Sequence, residues 1–332
     1  MTSVAIIEKY PSGYNYSRIF PFELETFSLV DKKQDKVLKR DITLPIEEVT
    51  ENFDYIILVG KEACKFVADI RSVTEYQGFL MNDKFLALMN PKAVEIRPSY
   101  KISFDKAIKD ITKAIQGEEI SALELDLEGI QDTDRATEYL KDLLYKVTNN
   151  KITHIAMDTE TTALYPRDGY VLGISIAYNE TSGVYIDSMC MDDTCSLMLE
   201  EICRLATVVF HNAKFDMKML EYHFGLKFYK WEDTMLQHFD LDENSPHGLK
   251  QNALKYTKLG DYESELDEFK KSYCKSHGIL QKDFTYDLIP FDIIYKYAAL
   301  DTIATITLFN LFNPYINDNP KLLSVYQHML KP

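Results

Sequence analysis

The run Ile155-Ala156-Met157-Asp158-Thr159-Glu160-Thr161-Thr162 places two carboxylates two residues apart at the end of an apolar stretch. Side chains alternate along a strand with period two, so both acids share one side if the strand persists that far. Two neighbouring acids repel, and hard oxygen donors of this kind suit magnesium or manganese. A lone Asp-x-Glu pair fits solvated strand-end acids equally well. A second element, His211-Asn212-Ala213-Lys214-Phe215-Asp216, positions Asn212 to cap a helix and puts Asp216 one turn in, on the same face. Cap and favourable charge at the positive helix end would explain that pair without chemistry. A third, Tyr297-Ala298-Ala299-Leu300-Asp301, sets Tyr297 and Asp301 four residues apart on a helix whose apolar residues, Ile294, Ala298, Ile303 and Ile306 among them, mark it as largely buried. A buried Asp is costly unless it meets a partner or a cation.

The elements that must carry these residues read as alternating strands and helices. Residues 155–158, 171–178, 183–187 and 207–211 are apolar and β-branched enough for strands, and residues 195–206 and 213–222 for helices, the latter stopped at Gly225. A last helix is expected over 291–312, halted before Pro314. Upstream, Asp132 and Thr133 can cap an amphipathic helix with Ala136, Tyr139, Leu140, Leu143, Leu144 and Val147 on one face. Farther towards the N-terminus, residues 53–59 followed by Gly60 and a helical pattern over 61–68 suggest a separate α/β unit, closed by a helix over 104–115 and Gly117. The acidic stretch 118–131 shows neither turn chemistry nor core periodicity, so it is expected to be a linker between an N-terminal domain, 1–117, and a second domain, 132–332.

Composition bounds the reading. With 332 residues, 46% hydrophobic, and few Gly and Pro, one or two globular domains are expected. No apolar run approaches the ~20 residues of a membrane span, and no signal-peptide core is present, so a soluble protein with no membrane partner is expected. Five cysteines without a Cys-x-x-Cys pair read as free thiols. A net charge of −15 disfavours diffuse attraction to nucleic acid, so any DNA must bind at a local site. No Gly-rich phosphate loop follows a strand, which sets aside a generic nucleotide-binding protein.

The order Asp158-x-Glu160, then Asn212-x-x-Phe215-Asp216, then Tyr297-x-x-x-Asp301 resembles the three exonuclease motifs of the DEDD superfamily, tyrosine subclass. Asp158-Thr-Glu160-Thr-Thr-Ala-Leu164 resembles the first motif of bacterial DNA polymerase I, and Glu232-Asp233-Thr234-Met235-Leu236 the strand after its second. Tyr165-Pro-Arg-Asp-Gly-Tyr170, Asp233-Thr-Met-Leu-Gln-His238 and Phe284-Thr-Tyr-Asp-Leu-Ile-Pro-Phe291 resemble the N-terminal portion of replicative family A polymerases of T-five-type tailed phages. That resemblance implies an α/β architecture: a ribonuclease H-like exonuclease domain, a mixed sheet flanked by helices, preceded by a smaller α/β domain. It also implies proofreading 3′→5′ hydrolysis of single-stranded or frayed DNA ends to 5′-mononucleotides, in the cytoplasm of an infected bacterial host. The polymerase domain would lie outside these residues, so the chain reads as part of a longer protein, as a split-gene subunit with the polymerase on a partner chain, or as a free-standing nuclease.

By the same resemblance, Asp158, Glu160 and Asp301 would hold one Mg2+, and Asp158, with Asp216 acting through water, a second; Mn2+ is expected to substitute. Tyr297 and Glu160 would orient the attacking water. Leu164 corresponds to an apolar wedge among the terminal bases, Asn212 would touch the strand near its end, and Tyr286 and Phe291 are candidate stacking surfaces, with core packing as their alternative. Asp233 and His247 are taken as structural. The N-terminal region, with Tyr55 to Val67 and Asn90-Pro91, is similar to uracil-DNA-glycosylase-like folds. It lacks the acidic Gly-rich loop and has Asn90-Pro91-Lys92 where a His-Pro pair belongs, so a structural or DNA-guiding role is expected. The rivals are a ribonuclease D-like exoribonuclease, sharing motifs and metals, and an inactive exonuclease fold kept as a polymerase scaffold.

Overall fold

A computed structural model describes residues 2–118 and 124–331, and its chain divides into two compact units, Met1–Ala122 and Leu123–Pro332. In the first unit, short β-branched runs form β1 (Val4–Glu8), β2 (Glu25–Ser28), β3 (Tyr55–Val59), β4 (Leu80–Met81) and β5 (Phe85–Leu88). They pair in the order β2-β1-β3-β5-β4, parallel except for β4. Strands buried on both faces read as continuous apolar runs, as β1 and β3 do. Helices α1 (Ile46–Asn52), α2 (Gly60–Ala68), α3 (Val73–Tyr76), α4 (Pro91–Ile96) and α5 (Lys101–Ile115) complete the unit. Ala63 and Cys64 of α2 pack on one face of the sheet, and Phe104, Ala107 and Ile111 of α5 on the other. Asn90 caps α4, its Oδ1 accepting the Lys92 N–H at 3.0 Å.

The second unit is a six-stranded mixed sheet, in the order β11-β10-β7-β8-β9-β6, covered by helices on both faces. Its strands are β6 (Asp126–Ile130), β7 (His154–Thr161), β8 (Val171–Ala177), β9 (Ser182–Asp187), β10 (Thr207–Phe210) and β11 (Trp231–Asp233). On one face lie α6 (Thr133–Thr148), α7 (Asp193–Leu205) and α8 (Ala213–Phe224), which bury Leu140, Leu199, Leu220 and their neighbours against Ile155 and Met157. Asp132 accepts the Arg135 N–H to cap α6, and Gly225, at φ 69°, ends α8. Beyond β11 follow α9 (Thr234–Leu241), α10 (Leu249–Tyr256) and α11 (Ser264–His277). The helix α12 (Phe291–Asn317) covers the opposite face, where Ile303, Ile306 and Phe309 meet Ala156, Ala177 and Val209. All five cysteines are free and buried, and among the described residues no helix is long and apolar enough to cross a membrane.

Two sequence expectations need correction. The stretch 118–131, expected to be a linker, contains β6, which pairs in parallel with β9 from Asp126–Ser182 to Ile130–Ile186; residues 119–123 of that stretch lie outside the described residues. The run Leu123-Glu124-Leu125-Asp126-Leu127-Glu128 does alternate as a strand, but its acidic residues outweigh that signal in the sequence. Gly129 supplies clearance, since a Cβ there would stand 2.6 Å from the Tyr295 ring, and Glu128 is held by both Nε and Nη2 of Arg135. The second correction is that α12 does not stop before Pro314 but continues to Asn317. A proline near a helix end forfeits only one intrahelical bond; buried Phe312 and Ile316 hold the final turn, and the Asp318 N–H bonds the Pro314 carbonyl at 2.9 Å.

The seat of α12 on the sheet depends on Gly183 of β9, where a Cβ would fall 2.6 Å from the backbone oxygen of Ala299. Gly183→Ala is expected to cost about 1–3 kcal/mol through overpacking. Urea unfolding checks this, and an unchanged midpoint and slope would show that α12 can shift away freely.

Candidate active site

The acids are positioned by three elements that meet at the end of β7. Ala156 of β7 packs towards α12, and strand alternation carries Asp158 and Glu160 to that same side, while Met157 faces the α6–α7 layer. Asp301 sits on the buried face of α12, directly after Tyr297 in the i, i+4 row. One carboxylate oxygen each from Asp158, Glu160 and Asp301 lie within 4.8 Å of one another. Asp216 arrives from the first turn of α8, and its Oδ1 accepts both the backbone N–H (3.0 Å) and the hydroxyl (2.7 Å) of Thr159. The residue between the two strand acids therefore anchors the fourth acid.

Burial and repulsion act together on this group. Glu160, Asp216, Tyr297 and Asp301 are all buried and Asp158 is half-buried. Burial raises the Asp158 pKa well above the ordinary carboxylate range, and the charges of Asp216, Glu160 and Asp301 add to it. Glu160 is raised by burial and then by Asp301 and Asp216. Asp216 is pushed up to about 7, mainly by burial, against the pull of its Thr159 hydrogen bonds. Burial also raises Asp301, opposed by hydrogen bonding from Tyr262, the Lys250 charge and hydrogen bonding from Tyr297. Tyr297 itself is raised well above its usual value, first by burial and then by Asp301 and Glu160, so its hydroxyl keeps its proton. The excess negative charge in an all-oxygen pocket matches the donor set of a hard divalent cation.

Other candidates are distributed unevenly. Leu164, 78% exposed, and Tyr286 line a cleft of about 480 Å³ together with Asp158, Glu160, Tyr297 and Asp301. Phe291 does not line that cleft: it packs against Tyr185 and Tyr295 and beside Gly129, because the first turn of α12 lies over β6. Asn212 occupies the N-cap position of α8 but does not cap it with its side chain. It adopts a left-handed backbone, φ 75° and ψ 52°, and the capping role passes to Asp233, which accepts the N–H groups of Asn212 and Ala213. The same carboxylate caps α9 through Met235 and Leu236. Asn212 lines a separate groove of about 500 Å³ with Lys214, Lys218 and Trp231. The His247 carbonyl accepts from His211 Nε2 at 2.8 Å, and the His247 ring meets His238, in a part-buried network.

Sequence reading passed over Phe215, Lys282, Lys250 and Tyr262. The first two line the cleft. Lys250 lies over the Tyr297 ring, 4.8 Å from its centroid, and the Tyr262 hydroxyl donates to Asp301 Oδ1 at 2.5 Å. Phe215 was legible as the aromatic of the second motif. The other three stand singly in polar segments, with no spacing to connect them to the acids.

Residues 129–317 match the 3′-5′ exonuclease family of the DNA polymerase A type. The chain is 41% identical, over 99% of its length, to the DNA polymerase of Escherichia phage T5, of which it covers 40%. It is 23% identical to the DNA polymerase of Bacillus phage SP01 over 86% of the chain and 35% of the relative. A DNA polymerase I of Borreliella burgdorferi is 24% identical over 51% of the chain and 18% of the relative. The chain thus spans about two fifths or less of the curated relatives it matches. Among solved structures, the catalytic core of RRP6 from Trypanosoma brucei aligns with TM-score 0.46 and 20% identity, over 63% of this chain and 52% of that one. Escherichia coli RNase D aligns with TM-score 0.43 and 17% identity, over 61% and 49%.

A carboxyl whose folded-state pKa is raised binds a proton that the unfolded chain has already released, so stability is lost as pH rises from about 4 towards the folded value. The window for Asp216 ends near 7. In chelator, Asp158→Asn is therefore expected to melt above the unaltered protein at pH 7.5, by a few degrees at about 1.4 kcal/mol per pKa unit relieved. The difference should shrink towards pH 5, because carboxyls with raised pKa values are more fully protonated in the folded chain as pH falls. Thermal melts at the two pH values check this; equal melting temperatures at both would remove repulsion as a property of the site.

Proposed function

Because the chain belongs to the 3′-5′ exonuclease family of the DNA polymerase A type, we propose that it removes 5′-mononucleotides from DNA 3′ ends as the proofreading part of a phage replicative polymerase. The observation that carries this reading is the convergence of Asp158, Glu160 and Asp301 to within 4.8 Å from segments up to 143 residues apart in sequence. Surface acids have no reason to be gathered, buried and left in mutual repulsion.

Asp158, Glu160 and Asp301 would hold one divalent cation, and Asp158 with Asp216 a second. When bound, such ions supply Lewis-acid stabilisation of charge on the phosphate and lower the pKa of water. The remaining work falls to the chain. Tyr297, protonated and buried at the cleft wall, donates a hydrogen bond that fixes the attacking water, and Glu160 accepts one from it; both act by positioning. The exposed Leu164 wedges between terminal bases at the rim, and Tyr286 offers a ring for stacking without sequence preference. Lys282, also lining the cleft, offers a cation for the strand's phosphates. Phe291, committed to packing under α12, is not assigned a DNA contact. Asn212, in its own groove, is assigned to the strand beyond the cleft. The first unit, with Asn90 engaged as a helix cap, is assigned no glycosylase chemistry and a structural or DNA-guiding role.

The test uses 5′-labelled single-stranded DNA and RNA with Mg2+, Mn2+ or chelator. Stepwise shortening of DNA from the 3′ end is expected with either metal and none with chelator; RNA shortened at an equal rate would favour an exoribonuclease. Asp158→Ala and Asp301→Ala should abolish hydrolysis while DNA binding survives, and turnover in either purified variant would refute the assignment. Tyr297→Phe should retain metal binding and lose about 10²-fold in rate, read by single-turnover kinetics.

A further inference from the structure

Of the two tyrosines that hydrogen-bond Asp301, one, Tyr262, lies outside all three acidic motifs. The terminal torsion of an Asp side chain is broad, so a buried carboxylate has no intrinsic preference for which oxygen points where. Packing around a helix does little to fix it, because the two oxygens are nearly equivalent in shape. A single hydrogen bond from a fixed donor does fix it. Tyr262 provides that bond, its hydroxyl 2.5 Å from Asp301 Oδ1. Ring contact holds the donor in turn, with the Tyr262 and Tyr297 centroids 6.4 Å apart.

The backbone around Tyr262 is anchored close to the site. Residues 257–263 connect α10 to α11, and the turn includes Gly260 at φ 67°. At one end the Thr257 N–H bonds the Ala253 carbonyl at 2.9 Å. At the other, Glu263 pairs with Lys250, whose ammonium lies over the Tyr297 ring. The connection is therefore tied to the same tyrosine that precedes Asp301 by one helical turn.

We propose that Tyr262 is a positioning residue for cation binding: by holding Oδ1 of Asp301 it orients the carboxylate so that its other oxygen is presented to the ion shared with Asp158 and Glu160. The inference rests on the divalent-cation reading of the site. An ionised carboxylate has two oxygens and about four acceptor positions, so donation from Tyr262 leaves room for an ion. Partners that orient metal ligands typically account for 10–100-fold in metal affinity. The rival geometry is competition, in which the tyrosine hydroxyl occupies a lone pair the ion needs.

Mn2+ binding to the full chain, followed by calorimetry and by the EPR signal of free Mn2+, separates these. Tyr262→Phe is expected to weaken Mn2+ binding about 10-fold or more, to lower the melting temperature in chelator by no more than the few degrees of one lost hydrogen bond, and to recover most of its lost activity at saturating Mn2+. Unchanged affinity would overturn the proposal, and tighter binding would establish competition in its place. A fall in the chelated melting temperature that accounts for the weaker binding would make Tyr262 a packing residue and overturn it too. If the unaltered protein takes up no Mn2+ that Asp301→Ala abolishes, the metal-dependent reading itself fails, and the comparison with Tyr262→Phe distinguishes that result from failure of the tyrosine's role alone.

Discussion

Repulsion among carboxylates gathered at one site, three of them buried and Asp158 half-buried, is the constraint that the second unit is built to withstand. Burial raises the pKa of all four acids, and the charges of the neighbouring acids add to the rise for Asp158 and Glu160. They stay together because each is fixed to an element whose own packing is far more favourable than the repulsion. β7 lies in the middle of the sheet between β10 and β8, with Ile155, Ala156 and Met157 fully buried just before the acids. α12 lays a largely apolar surface over five strands, β6 to β10. α8 is held at its start by Asp233, which also starts α9, so one carboxylate fixes the directions of two helices.

Within that frame, the groups nearest the acids divide the load. Thr159 turns inwards to satisfy Asp216, Tyr262 satisfies one oxygen of Asp301, and Lys250 contributes a positive charge from α10. None of these neutralises the cluster, and a residual negative field is what a site for divalent cations requires. The chain's overall acidity is compatible with this, because binding at a cleft depends on local charge and stacking more than on net charge. Tyr297 is buried at the wall of the cleft, whereas Leu164 projects from its rim.

Much was legible in the sequence because it depends on local rules. The strand ending in Asp158 and Glu160, the cap at Asp132, the stop at Gly225 and the buried Tyr297–Asp301 face are written in residue spacing, and the three ordered motifs pointed to the family that the comparison of residues 129–317 supports. β6 was overlooked although Leu123, Leu125 and Leu127 alternate with acids there, because the acids and Gly129 read as a linker; its place is set by its partner β9 and by the rings of α12. Phe291 could not be sorted from Tyr286 by type or proximity in sequence. Phe291 is kept from the cleft because the first turn of α12 rests on β6, while Tyr286 lies in the turn before that helix and lines the cleft.

The sequence by itself determined the identity and order of the acids and the elements that bear them, because alternation, capping and helical periodicity act over a few residues. The tertiary structure alone decided that Asp158, Glu160 and Asp301 converge, that Asp233 rather than the Asn212 side chain caps α8, and that Tyr262 and Lys250 stand beside the site. The reason is that these contacts join segments tens of residues apart or more, and their geometry is set by how sheet and helices pack, which no local pattern encodes.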